Sequence, residues 1–199
     1  MEFWNEAIVE RSWEILKKIS REFDFILIGG WAVYLWSKGQ KSRDIDIIIE
    51  YDALDYLREN YPLKKNDFLK KYEIIINEVD IDIYLPYFSR FPISINDIIQ
   101  NKTKIEGFTT VLPEILLILK QNAEFDRKDS IKGQKDRLDI IDLLGKVDID
   151  WLKYKELIGK YNLRGYRERL VHIIKTFNTM DKNPRQYKLW KRKILEEIG

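Results

Sequence analysis

Two aspartates one residue apart, Asp44 and Asp46, interrupt the isoleucine-rich run SRDIDIIIE, which otherwise has the composition of a buried strand. Side chains alternate faces along a strand, so both carboxylates project from one side and Ile45 and Ile47 from the other. Carboxylates this close repel each other, and when partly buried they need a cation between them. A hard divalent ion with oxygen ligands meets that need, magnesium being usual in phosphate chemistry and manganese its substitute. Downstream, NEVDIDIYLP repeats the arrangement with Asp80 and Asp82 on a common face. A neighbouring strand could bring one of them beside the first pair, and three carboxylates around one point can hold two metals for in-line phosphoryl or nucleotidyl transfer. Upstream, the apolar run DFILIGG closes on Gly29 and Gly30, where a missing side chain lets a phosphate approach the backbone. A helix starting near Trp31 would offer that phosphate free amide hydrogens and a positive dipole end. Each motif has an ordinary reading as well: Asp148-Ile149-Asp150 shows the same spacing and reads as a helix N-cap before Trp151.

The elements that must hold these residues follow from periodicity. Residues 2–20 place Trp4, Ile8, Ile15 and Ile19 on one side of an amphipathic helix. DFILIGG predicts a short strand, WAVYLWSKG a helix ending near Gly39, and YDALDYLRENY a helix stopped by Pro62. KYEIIINEVDIDIYLPY reads as one or two strands with a turn near Asn77. SINDIIQN reads as a short helix capped by Ser94, and GFTTVLP as a strand or loop. PEILLILKQNAEF opens with proline at a helix start, and GQKDRLDIIDLLG predicts a helix ended by Gly145. From Trp151 the pattern is helical, with a break at Asn183-Pro184. The expectation is an α+β fold: a mixed sheet of three to five strands flanked by helices over 1–145, then a helical C-terminal extension over 146–199.

Composition narrows the chemistry. The chain has 199 residues, no cysteine and a single histidine, His172. Disulfides, thiolate zinc sites, thiol catalysis and histidine-rich metal sites are excluded, which leaves carboxylates, hydroxyls, lysines or a bound hard metal. There is no GxxxxGK[ST] and no G-x-S-x-G, and Ile48 and Ile49 break a calcium-loop pattern. No apolar run approaches the roughly 20 residues that span a bilayer. The opening MEFWNEAIVERSWEILKK, charged throughout, does not read as a signal peptide, so a cytoplasmic location is expected. The Ile/Lys/Glu-rich composition would suit a thermophile. Residues 1–150 hold 22 basic and 28 acidic side chains, whereas residues 151–199 hold 13 basic and 5 acidic. An acidic body with a basic tail suggests either a second task or a lysine-rich solvated helix face.

An apolar strand, Gly-Gly, a short helix, thirteen residues from Gly30 to Asp44, D-x-D in a strand and a later h-D-h together resemble the nucleotidyltransferase superfamily, the DNA polymerase beta-like fold. LPEILLILKQNAEFDRKDSIKGQKDRLDIIDLL is similar to the C-terminal half of AbiEii-type nucleotidyltransferases and their aminoglycoside- and lincosamide-modifying relatives. Those families have a helical lysine followed by a K-D-x-x-D element, which here are Lys120, Lys135, Asp136 and Asp139. The resemblance covers roughly residues 20–145.

The resemblance implies roles. Gly29, Gly30 and Ser42 or Arg43 would contact the triphosphate, and Lys120 would reach its phosphates. Asp44 and Asp46 would hold the metals, with Asp82 or Asp80 as third acid; Asp82, followed by Ile-Tyr-Leu-Pro, fits the family pattern better. Asp136 and Asp139 would orient Lys120 or an acceptor hydroxyl. The implied reaction is metal-dependent transfer of NMP from an NTP to an acceptor hydroxyl, with pyrophosphate leaving. The acceptor would be a small molecule, as in the antibiotic-modifying relatives, or RNA or tRNA, as in toxin-like relatives with an antitoxin-type protein partner. The basic residues Arg164, Arg167, Arg169, Lys188, Lys191, Arg192 and Lys193 lean toward RNA by counterion release. Tyr161, Tyr166, Tyr187 and Trp190 could stack bases or serve as core. A fold that has lost activity and binds nucleotides or a partner is the alternative.

Overall fold

The computed structural model describes residues 5–178 and 183–199. Trp4 lies outside the described residues. Among the described residues the order is α1 (Glu6–Ile19), β1 (Ile26–Ile28), α2 (Gly29–Ser37), β2 (Ile45–Ile48), α3 (Tyr51–Asn60), β3 (Lys64–Asn66), β4 (Lys71–Ile76), β5 (Val79–Tyr84), α4 (Ile95–Gln100), β6 (Lys102–Ile105), β7 (Phe108–Val111), α5 (Pro113–Arg127), α6 (Ile131–Lys146), α7 (Trp151–Lys160), α8 (Tyr166–Thr176) and α9 (Pro184–Ile198). The fold is α+β, as expected, but the sheet is larger: seven strands in the order β3-β4-β5-β2-β1-β7-β6.

The additional strands lie at the two ends of the sheet, where burial leaves little mark on sequence. β3 reads KKN and β6 reads KTKI, both largely solvated, and lysine on an edge strand discourages pairing with another chain. Both are held by hairpins. β3 is joined antiparallel to β4 across a turn in which Lys70 takes positive φ, and β6 to β7 across one in which Glu106 and Gly107 both do, the pattern of a type I′ turn. The inner strands are apolar on the core side. Ile45, Ile47, Ile81 and Ile83 are buried, while Asp46, Asp82 and Tyr84 point to the opposite face.

Two helix boundaries differ from those expected. α2 starts at Gly29 rather than Trp31 and ends at Ser37, close to the expected end near Gly39, with Lys38 in the left-handed conformation. α6 runs through Gly145 to Lys146 and stops when Val147 turns extended. Ser94, Asp150 and Pro113 start their helices as read.

α2, α5 and α6 pack on one another, and α2 also packs on β1 and β2. The C-terminal helices attach through buried polar groups. Tyr154 on α7 donates to Gln121 on α5 at 2.8 Å, and Glu124, fully buried on α5, receives Arg137 of α6 at 2.7 Å and both nitrogens of the Arg169 fork from α8. Burial would push the Glu124 carboxyl up, but the Arg169 and Arg137 bonds outweigh it and hold it below its ordinary value. Among the described residues no helix is long and apolar enough to cross a membrane.

Removing one side of a buried ion pair costs roughly 3 kcal/mol. Glu124→Gln is therefore expected to lower unfolding stability by about that much, and Tyr154→Phe by about 1 kcal/mol. Urea denaturation followed by circular dichroism measures both.

Candidate active site

The sheet register brings the carboxylates together. β2 and β5 are parallel neighbours, and Asp46 pairs directly with Asp82. Across the next strand Asp82 faces Glu73, and on the other side Asp46 faces Ile28. Asp44 stands just before β2, on the same face as Asp46 by the period of two. Asp44, Asp46 and Asp82 line one small cavity of about 60 Å³ with Gly30, Ser42 and Lys120. Asp80 does not reach it; it lines an adjoining hollow and lies 3.8 Å from the Arg43 guanidinium.

The glycines serve this close approach. A methyl group on Gly29 would lie 2.0 Å from Asp46 Oδ2, and Gly29 also takes φ +68. At Gly30 a methyl would meet Ser42 Oγ at 2.5 Å and Lys135 Nζ at 3.3 Å. The space released by each missing side chain is filled by Asp46 and Ser42. α2 begins at Gly29 with Ile28 as its N-cap, whose side chain makes no capping hydrogen bond to the first amides.

Each carboxylate has a cationic counterpart reaching in from another element. Asp44 accepts from Arg43 at 2.9 Å and from Lys132 of α6 at 3.0 Å. Those two bonds outweigh burial and keep its carboxyl below the ordinary range. Lys71 of β4 sits 2.6 Å from Asp82 and 3.0 Å from Glu73. Burial and the neighbouring Asp46 charge nevertheless push Asp82 up to about 6, against the pull of Lys71. Asp46 is raised too, by burial first and by Asp44, with Lys120 opposing. The phenol of Tyr84, bonded to Asp46, is held well above its usual range by burial and by both carboxylates.

A second, buried layer lies behind the first. Lys120 is 2.7 Å from Asp139 and 3.3 Å from Asp136, and Asp136 takes a bidentate fork from Arg127 at 2.7 and 3.1 Å. Asp139 also pairs with Lys135. Burial opposes the charge on Lys120, but Asp139, Asp136 and Asp46 raise it strongly. Lys135 is lowered by burial and by Lys120 despite Asp139. Asp136 and Asp139 thus act on lysines directly behind the first layer. Lys71, Lys132 and Arg127 were not singled out in the sequence, because a lone basic residue in a lysine-rich chain makes no pattern.

Part of the basic tail makes contacts within the chain. Arg169 is used by Glu124, Arg167 donates to the Gly199 carbonyl, and Lys191 donates to the Phe177 carbonyl at 2.7 Å. Tyr161 donates to Asp97, Tyr166 is buried, and Trp190 donates to the Leu144 carbonyl.

The whole chain resembles solved structures. JHP933 from Helicobacter pylori superposes with a TM-score of 0.51 at 15% identity, over 98% of this chain and 92% of that one. Another solved structure from H. pylori, whose protein is assigned as a nucleotidyltransferase, gives 0.52 at 16% identity over 98% and 96%. No family profile matches the sequence, and no curated protein is similar to it. At these identities the likeness is one of fold alone.

Two outcomes follow from the geometry. Gly29→Ala must displace Asp46 and strain φ, so a stability loss of more than about 1 kcal/mol is expected in thermal or urea unfolding. Asp82 titrates near 6 when folded and near 4 when unfolded, so its contribution to stability falls as pH rises across that window. Asp82→Asn removes that slope. The difference in Tm, variant minus wild type, should therefore become more positive between pH 4.5 and pH 7 in metal-free buffer, roughly the interval bracketing the two values.

Proposed function

We propose that the protein is a nucleotidyltransferase that moves the NMP group of an NTP onto an acceptor hydroxyl and releases pyrophosphate. The observation that carries this reading is the direct pairing of Asp46 with Asp82, set against Gly29 at the start of α2. An anionic triad beside a helix N-terminus suits a triphosphate and its counter-ions.

The donor set fits a hard divalent cation, since Asp44, Asp46 and Asp82 supply oxygen ligands and crowd negative charge in a desolvated cleft. Among the described residues no three such side chains converge closely enough to hold an ion as they stand. Lys132 and Lys71 instead neutralise Asp44 and Asp82, and both are long, flexible groups able to swing to phosphate oxygens. Magnesium or manganese, when bound, would neutralise charge developing on the phosphates.

The chain's own residues do the rest. The first amides of α2, Gly30 and Ser42 position the phosphates, with Arg43 at the entrance. Lys120, fixed by Asp136 and Asp139, supplies a point charge beneath them. Lys135 adds a second, its proton held less tightly. Asp82, set directly opposite Asp46 by the strand register, takes the proton of the attacking hydroxyl. Positioning and fixed charge then carry most of the acceleration.

The test is transfer of label from each α-labelled NTP, with magnesium, to acceptors in a total RNA fraction and in a small-molecule extract. The expected result is label in one product class and a loss of roughly a hundred- to a thousandfold in Asp46→Asn, the range for removing one preorganised electrostatic group. Label incorporation unchanged in Asp46→Asn would refute the assignment.

A further inference from the structure

Outside the cleft, the most unusual surface is its rim. Phe68 and Tyr87 are each 92% exposed, and Leu69, next to Phe68 in the chain, is about half exposed. Phe68 lies in the turn between β3 and β4, and Tyr87 in the loop after β5, held at φ +62. The two segments are joined by a lysine–aromatic cluster. Lys65 and Lys70 place their ammonium groups 5.0 and 5.4 Å from the Phe88 ring, which also packs on Tyr72 at 5.4 Å. Residues 64–71 and 85–92 hold five basic side chains and one acid, Asp67, which Lys65 engages at 2.8 Å.

This rim is continuous with the candidate active site. Leu69, Lys71, Arg90 and Phe91 line a cavity of about 320 Å³ whose floor includes Asp46, Asp82 and Lys120. Phe91 stacks at a tilt on Tyr84, 5.0 Å between centroids, so the aromatic surface runs from the outer turn down to the carboxylates.

Positive charge attracts a polyanion, and exposed rings beside it offer faces on which unpaired bases stack. A duplex hides its bases, and a small acceptor enclosed in the cavity would need no rings outside it. We propose that this rim is the docking surface for the single-stranded end of a polynucleotide acceptor, stacking on Phe68 and Tyr87 with its backbone along Lys65, Lys70 and Arg90. The proposal rests on the nucleotidyltransferase reading for its chemistry. The terminal hydroxyl oxygen forms a bond to the α-phosphorus, the bond from that phosphorus to the bridging oxygen breaks, the hydroxyl proton passes to Asp82, and pyrophosphate carries away the electron pair. The rim, rather than the C-terminal helices, is then the polynucleotide contact, consistent with the internal partners already taken by Arg169, Arg167 and Lys191.

Fluorescence anisotropy of a labelled, unstructured RNA of roughly 12 nucleotides tests this, with titrations at about 50 and about 200 mM salt. Wild type should bind the single strand more tightly than a matched duplex. Phe68→Ala/Tyr87→Ala should weaken binding by roughly tenfold or more, since each stacked base is worth about 1–3 kcal/mol. Lys65→Ala/Lys70→Ala should flatten the salt dependence, and Lys188→Ala/Arg192→Ala/Lys193→Ala should leave the affinity nearly unchanged. Phe68 and Tyr87 are almost fully exposed, Lys65, Lys188, Arg192 and Lys193 are exposed and Lys70 is partly so, and circular dichroism checks each fold. Absent binding by wild type, equal affinity in the aromatic variant, preference for the duplex, or a loss confined to the tail variant would each overturn the proposal. ATP–magnesium binding measured on the same samples separates the two readings. Nucleotide binding without RNA binding sinks the rim, whereas RNA binding without nucleotide binding sinks the transferase reading and leaves the rim standing as a nucleic-acid surface.

Discussion

Two carboxylates on neighbouring strands, Asp46 and Asp82, are forced side by side by the register of β2 and β5. Like charges directly opposite destabilise a sheet, and burial worsens the repulsion. Most of the surroundings answer that constraint. Lys71 comes from β4, Lys132 from α6 and Arg43 from the approach to β2, each neutralising one carboxylate. Gly29 gives up its side chain so that Asp46 can fit. Behind them Lys120 lends its field to Asp46 while Asp136 and Asp139 fix it in place. A fold under selection for stability alone would have put isoleucine at these positions, as it does at Ile45, Ile47, Ile81 and Ile83. The retained charges are what the proposed site is built on.

The same constraint explains the helical scaffold. α5 and α6 carry the lysines and aspartates of the buried layer, so they must be locked to each other and to α2. Glu124 and Gln121 extend that lock to α8 and α7. The C-terminal helices therefore buttress α5, and their aromatic and basic residues are mostly spent on packing and on carbonyl contacts.

Much of this was legible in the sequence because the signals are periodic. D-x-D alternating with isoleucine puts both carboxylates on one strand face, and Pro113 and Ser94 announce helix starts, whereas the pairing of Lys120 with the K-D-x-x-D element came from the family resemblance and not from spacing. Asp80 and Asp82 could not be separated by alternation, since both lie on one face; only the register sets Asp82 against Asp46 and leaves Asp80 beside Arg43. The edge strands β3 and β6 were hidden because edges carry lysine instead of apolar alternation. The start of α2 was misplaced because glycine argues against helix locally, whereas here the approach of Asp46 and Ser42 outweighs propensity. Lys71, Lys132 and Arg127 were invisible for lack of any spacing rule linking them to residues far away in the chain.

The most direct test of the central claim, that these carboxylates and the start of α2 form a nucleotide cleft dependent on a divalent cation, is isothermal titration calorimetry. ATP, GTP, CTP and UTP are titrated with magnesium into wild type and into Asp44→Ala/Asp46→Ala. The account predicts saturable binding of at least one nucleotide by wild type, lost on chelation and lost in the double variant. Binding that survives both chelation and the double substitution, or no binding by folded wild type, would contradict it.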